Sequence, residues 1–313
     1  MRLYRGFDQS GPGALSDATH PGALRAAAGT ELAHAPEGLD IARLRHVRPR
    51  HYGRMAAVAL IAAFAAFIII SFANSKIDWA VAGTFLFWPT ILRGLVNTVW
   101  LSVASMALGV VLGVLCAIAR GSPNPVLRGV AIFYAWFFRG TPVILQLLIW
   151  FNLALVFPRI GIPGLWETRT VFIITPIFAA LVGLGLNEGA YVSEIVRAGM
   201  LSVDRGQYEA AQSIGMSYGQ ALRRIIMPQA MRVVIPPLGN NFIGLLKTSS
   251  LASIIGFSDL LHNVQDIYYT NVRVIELLSV AGFWYLAVVS VLSVGQTMLE
   301  RRFGRGQAGG SPH

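Results

Sequence analysis

Charge is scarce in this chain: Asp, Glu, Lys and Arg together supply 13% of its 313 residues. Cysteine is scarcer. Cys116 stands alone, which excludes an intrachain disulfide, and in its apolar run it reads as a small packing residue. Histidine falls mainly near the N-terminus with His262 isolated, and no spacing resembles a metal site. Lysine occurs only at Lys76 and Lys247. A phosphate-binding loop sets glycine directly before its lysine, whereas Leu246 precedes Lys247, so the chain has no such loop for ATP.

What remains is apolar. Hydrophobic residues make up 55% of the chain and mean hydropathy is +0.59. Several uncharged runs are long enough to cross the roughly 30 Å hydrocarbon core of a bilayer. The fold class is therefore an all-α polytopic membrane protein. A formal charge of +10 would suggest nucleic acid in a soluble chain. Here the basic residues flank apolar runs, so they set orientation and touch membrane lipid headgroups, and no nucleic-acid partner is expected.

Residues 1–54 are rich in Gly, Ala, Pro and charge, and read as a disordered tail. The cluster from Arg43 to Arg50 places that tail in the cytoplasm. The apolar run behind it starts too far from Met1 for a signal peptide, although Ser71 to Ala73 would suit a cleavage site. Six spans are expected: Met55–Ala73, Leu95–Ile118, Val143–Phe157, Phe172–Val196, Leu238–Ile255 and Glu276–Leu299. Gly109 and Gly113 form a small-residue pair for close helix approach. Pro163 and Gly164 mark an external loop, Pro236 and Pro237 suit a helix entry, and Asp259 to Arg273 reads as a polar external stretch. Arg197, Arg205, Arg223, Arg224, Arg232, Arg301 and Arg302 then all fall inside, with both termini. The domain division is a tail (1–54), an extra first helix with its external connection (55–94), a five-span core (95–302) and a C-terminal tail (303–313).

One polar stretch, Val203 to Pro228, interrupts the apolar pattern. Asp204 with Gln207 reads as a helix N-cap with a reciprocal partner, and Gly215 as that helix's left-handed end. Ser217 with Gln220 repeats the cap, and Pro228 closes the second helix. Ala210 and Ala211 offer a low surface that a partner can approach closely.

Charge at membrane depth costs about 2.5–3.5 kcal/mol, so each instance needs a reason. Asn187, Tyr191 and Glu194 share a helical face that Glu188 borders. For Glu188 two readings stand: a buried network with Arg139, Lys247 or backbone carbonyls, or a cavity lining that meets a solute's amino group. Glu194 anchors the following loop against Arg197. Arg139, ahead of Thr141 and Pro142, either snorkels to the interface, which is the expected outcome, or holds a neighbouring carboxylate. Lys247 to Ser250, including Ser249, either lines a pathway or marks a helix break, and Asn240 and Asn241 suit hydrogen bonds across helices or to a solute.

The order Glu209-Ala210-Ala211, Gly215, Ile225, Pro228 resembles the cytoplasmic loop of permease subunits of ATP-binding-cassette importers. Three further pieces are similar to the polar amino acid permeases: Arg139-Gly140-Thr141-Pro142 with Gln146, Ala190-Tyr191-Val192-Ser193-Glu194-Ile195 with Arg197, and Lys247-Thr248-Ser249-Ser250-Leu251. Glu188 departs from the small or hydroxyl residue of that family, and Met227 stands in place of its leucine. The resemblance covers about Leu95 to Arg302 and implies a bacterial inner-membrane subunit that is not itself an enzyme. It implies three partners: a separate ATPase carrying ATP and Mg²⁺, a periplasmic or extracellular solute-binding protein, and a second permease copy or paralogue. Gln207, Glu209, Ala210, Ala211, Gly215 and Pro228 would form the coupling loop. The rivals are a secondary transporter using Glu188 and Glu194 for protons, a membrane enzyme using them as an acid–base pair, and a passive scaffold.

Overall fold

The computed structural model describes residues 52–75, 77–162 and 166–303, and within them the chain is almost entirely helical. The tail, its basic cluster, the Pro163–Gly164 turn and the last ten residues lie outside the described residues. Two units are distinguished, one ending at Asn74 and one starting at Ser75.

The first unit shows a single helix, α1 (Tyr52–Ala73), of 22 residues. Ala, Val, Leu, Ile and Phe cover every side of it, and none of its residues is buried. At 1.5 Å per residue it spans about 33 Å, the thickness of a bilayer core.

The second unit opens with α2 (Trp79–Phe85), whose N-cap Asp78 accepts from the Ala80 and Val81 amides. Next comes α3 (Pro89–Arg120), 32 residues long, with proline in its first turn. Two helices, α4 (Pro125–Gly140) and α5 (Val143–Phe151), meet at a 104° bend and are followed by the short α6 (Leu153–Val156). The strands β1 (Arg159–Ile162) and β2 (Trp166–Arg169) pair antiparallel and form the only sheet among the described residues. A turn of helix, α7 (Thr170–Ile173), leads to the 26-residue α8 (Pro176–Leu201). Two short helices, α9 (Arg205–Ser213) and α10 (Tyr218–Ala221), pass through a π-turn at Leu222–Ile226 into α11 (Met227–Thr248). A 3₁₀ segment (Ser249–Ile255), α12 (Leu260–Asn271) and the 30-residue α13 (Val274–Phe303) complete the chain.

By length and apolar composition α1, α3 and α13 can each cross a membrane, and the bent α4–α5 pair has the length and composition of either a broken span or a re-entrant loop. Helices α8 and α11 are long enough at 26 and 22 residues, but they carry the polar side chains that lower their hydropathy.

Several boundaries differ from those the sequence suggests. Tyr134 to Phe138 lie within helix α4 rather than ahead of a span. Pro228 opens α11 instead of closing a helix, and Pro236 and Pro237 sit inside it. The doubled proline removes two backbone donors. Gln296 of α13 donates to the Pro236 carbonyl at 2.7 Å and so ties the proline pair to a neighbouring helix. Asp259–Arg273 is mostly helix, with Asp259 as the N-cap of α12.

Helices α3 and α8 share the largest interface. Glycine makes it possible: a Cβ at Gly109 would lie 2.8 Å from the Glu188 Cβ, and one at Gly113 would lie 2.5 Å from Val192 Cγ1. Backbones approach this closely only where small residues face each other. Beside this seam a core of Leu101, Leu147, Leu184, Leu245 and Phe257 joins α3, α5, α8 and α11. A second core of Ile91, Leu260, Val264, Leu277 and Val280 joins α3, α12 and α13.

Candidate functional site

Pro142 has no N–H, so the Phe138 carbonyl four residues earlier loses its helical partner. Asn187 and Gln146 replace it, donating to the Phe138 oxygen at 2.7 and 2.9 Å. Gln146 also donates to the Thr141 hydroxyl at 2.8 Å, and that hydroxyl bonds to the Phe137 carbonyl at 2.9 Å. Asn187, Thr141 and Gln146 thus brace the α4–α5 bend against α8.

Beside the bend, α8 and α11 enclose a cavity of about 190 Å³. Its walls include Asn187, Glu188 and Tyr191 from α8 and Asn241, Gly244 and Thr248 from α11. Glu188 stands at the middle of its helix and is buried, 6% exposed. The Asn241 amide donates to its carboxylate. Among the described residues no Arg, Lys or His pairs with Glu188. Of the two readings for this residue, the network with Arg139 or Lys247 is not formed, and the carboxylate borders open space.

Arg139 does not snorkel. Its Nη1 reaches Glu194 at 2.8 Å, alongside Arg120 at 2.7 Å, while Arg197 Nε pairs with the other carboxylate oxygen at 3.0 Å. Arg139 also lies over the Tyr191 ring, 5.7 Å from its centroid. Three guanidiniums from α3, α4 and α8 therefore converge on one carboxylate; the sequence pairs Arg197 with Glu194 and leaves a carboxylate partner open for Arg139, but gives no sign of Arg120. Glu194 lies outside the cavity. So do Lys247, which is exposed, and Ser249, which is buried and bonded to Ser102 and to the Leu246 carbonyl. Of the Lys247–Ser250 stretch only Thr248 lines the cavity, and Gly244 joins it without a sequence expectation, although Asn241, Gly244 and Thr248 repeat at the i, i+3, i+7 spacing of one helical face.

The α9–α10 pair carries the remaining candidates. Asp204 caps through the Gly206 amide, but Gln207 turns to Gln229 at 3.2 Å instead of returning to the cap. The reciprocal box is complete at Ser217 and Gln220. Gly215 has φ of +76°, the left-handed corner expected of it. Glu209, Ala210 and Ile214 face solvent, with Ile214 74% exposed. Ala211, by contrast, is wholly buried, so its methyl fastens the helix to its own domain rather than offering a docking surface.

Residues 109–305 match the family described as "Binding-protein-dependent transport system inner membrane component". The arginine transport system permease protein of Corynebacterium glutamicum is 43% identical over 260 residues, 82% of each chain. The L-cystine transport system permease protein of Bacillus subtilis is 40% identical over 70% of this chain and 88% of its own. In a crystal structure of an amino acid ABC transporter with histidines, one chain superposes with a TM-score of 0.63 at 33% identity, over 73% of this chain and all of that one. Sharing that helical frame and those sequence blocks, the chain belongs to the family of inner membrane components of binding-protein-dependent transport systems.

Proposed function

We propose that the chain is the permease subunit of an ATP-driven importer and carries a cationic amino acid of the arginine or lysine type. The observation that carries the substrate class is the Glu188 carboxylate, half-way along α8, facing a cavity that contains amides and hydroxyls but no balancing cation. A buried, unpaired carboxylate is costly, and a cationic solute removes that cost only while bound. Asn187, Tyr191, Asn241 and Thr248 supply hydrogen-bonding groups for the rest of the solute. The relative named for arginine transport supports the same class.

Six spans, with both termini and the α9–α10 pair in the cytoplasm, suit the distribution of arginine. There the exposed Glu209, Ala210 and Ile214 beside the Gly215 corner dock on a separate ATPase, which holds ATP and Mg²⁺. Closure of the ATPase moves the pair as a rigid body and switches the cavity from outside to inside. A solute-binding protein delivers the amino acid outside, and a second permease, identical or related, completes the pathway. In a secondary transporter Glu188 and Glu194 would exchange protons, yet Glu194 is occupied by three arginines.

The test is solute competition for uptake by the assembled transporter. Glu188→Gln should weaken arginine and lysine uptake at least tenfold while altering glutamine competition little. Equal loss for all solutes, or none for any, would remove Glu188 from cation recognition.

A further inference from the structure

We propose that a specific anionic phospholipid binds where α3, α4, α8 and the α9–α10 pair meet, with its headgroup among arginines and its acyl chains along α3 and α4. Two cavities adjoin there and share Tyr218. One, of about 320 Å³, is lined by Arg120, Arg128, Arg197, Tyr208 and Tyr218. The other, a cleft of about 610 Å³, is almost wholly apolar, with Leu115, Ile118, Leu127 and Val130 on its walls.

Charge complementarity selects the occupant. Arg120, Arg139 and Arg197 all pair with Glu194, and Arg128 has no ion-pair partner among the described residues. Three arginines line the cavity, and with Arg139 behind them four guanidiniums stand against the single Glu194 carboxylate, an excess of three positive charges in the cluster. Guanidinium forks suit phosphate oxygens, and basic pockets between membrane helices hold anionic headgroups. A soluble phosphate would use only the first cavity. A lipid uses both, because its chains continue into the apolar cleft that opens beside its headgroup. The inference requires only that these helices lie in a bilayer.

The experiment takes the full chain with its co-purifying subunits into nanodiscs of phosphatidylcholine with or without phosphatidylglycerol. Lipid retained after detergent extraction is then counted by native mass spectrometry. Wild type should keep phosphatidylglycerol in preference to phosphatidylcholine, and excess inorganic phosphate should not displace it. Arg128→Glu should cut phosphatidylglycerol retention at least tenfold, and Arg128→Lys should retain most of it. Val130→Trp fills the cleft at a residue that is 62% exposed, so the core is untouched, and should cut retention similarly. Unchanged retention in Arg128→Glu, or equal retention of both lipids by wild type, would overturn the proposal. So would displacement by phosphate or indifference to Val130→Trp, either of which means an anion site without a lipid. If Arg128→Glu does not accumulate, the wild-type preference and Val130→Trp decide the matter.

Discussion

At Gly109 a single methyl group has nowhere to go. Its Cβ would press on the Cβ of Glu188, a backbone-proximal atom that cannot swing aside. Gly109→Ala should therefore lower stability by about 1–3 kcal/mol, seen as a fall in the melting temperature of the solubilised protein. Gly129 is the control, since an added methyl there would meet no atom within 4 Å. Gly129→Ala should be neutral or gain about 0.5–1 kcal/mol from helix propensity alone. Asp259 offers a second test at this scale. Its side chain is wholly inaccessible; one oxygen accepts the His262 amide at 2.8 Å and the other has no partner. Burial pushes its carboxyl up to about 7 from an ordinary 3.8. The folded state then holds a proton that the unfolded state releases, so this group's contribution is full below about 3.8 and is lost as pH rises through about 7. Asp259→Asn keeps the cap without the charge. It should raise the melting temperature by about 3 °C or more at pH 8 and by less at pH 5, where only part of the loss has occurred. A larger benefit at pH 5 than at pH 8 would contradict this sign.

Among the elements, the α4–α5 bend and the α9–α10 corner show what local sequence can and cannot specify. Glu194 ties α3, α4 and α8 together, and its side chain is 24% exposed against 18% for Arg120 and 43% for Arg139. That exposure screens the pairs, so Glu194→Gln should cost about 1–2 kcal/mol, measurable as a shift in unfolding midpoint. Gly215 is different: nothing lies within 4 Å of its added Cβ, so backbone strain alone governs substitution. Gly215→Asn, which tolerates positive φ, should keep more coupled transport than Gly215→Val, which does not. Equal activity of the two variants would show that the corner geometry is irrelevant. Gly215 and the Ser217–Gln220 box are legible in the sequence because the chemistry of each lies within a few residues. The partners of Arg139 and Glu188 lie 55 and 53 residues away, and no local pattern encodes them. Pro228, Pro236 and Pro237 mislead for the same reason. A local rule reads proline as a boundary, whereas here a π-turn leads into Pro228 and α11 runs on through Pro236 and Pro237, held to the distant Gln296.

For the whole molecule, apolar runs make the helical membrane class readable, and four sequence blocks in order point to the family that residues 109–305 match. The interior is less readable. Asn187, Glu188, Tyr191 and Asn241 are expected as pathway residues and do line one cavity, but Glu194, Lys247 and Ser249 do not. Membrane charge alone cannot distinguish a cavity wall from a buried brace or an exposed face. The central claim is that this chain moves solute only as part of an ATP-driven assembly. Its most direct test is gentle purification from native membranes, followed by identification of co-eluting subunits and ATP-dependent uptake by the recovered material in vesicles. The account predicts an ATPase that co-elutes with wild type, is lost from a Gly215→Val variant that still inserts, and whose loss abolishes uptake. A chain that elutes alone and still takes up amino acid under a proton gradient would contradict it.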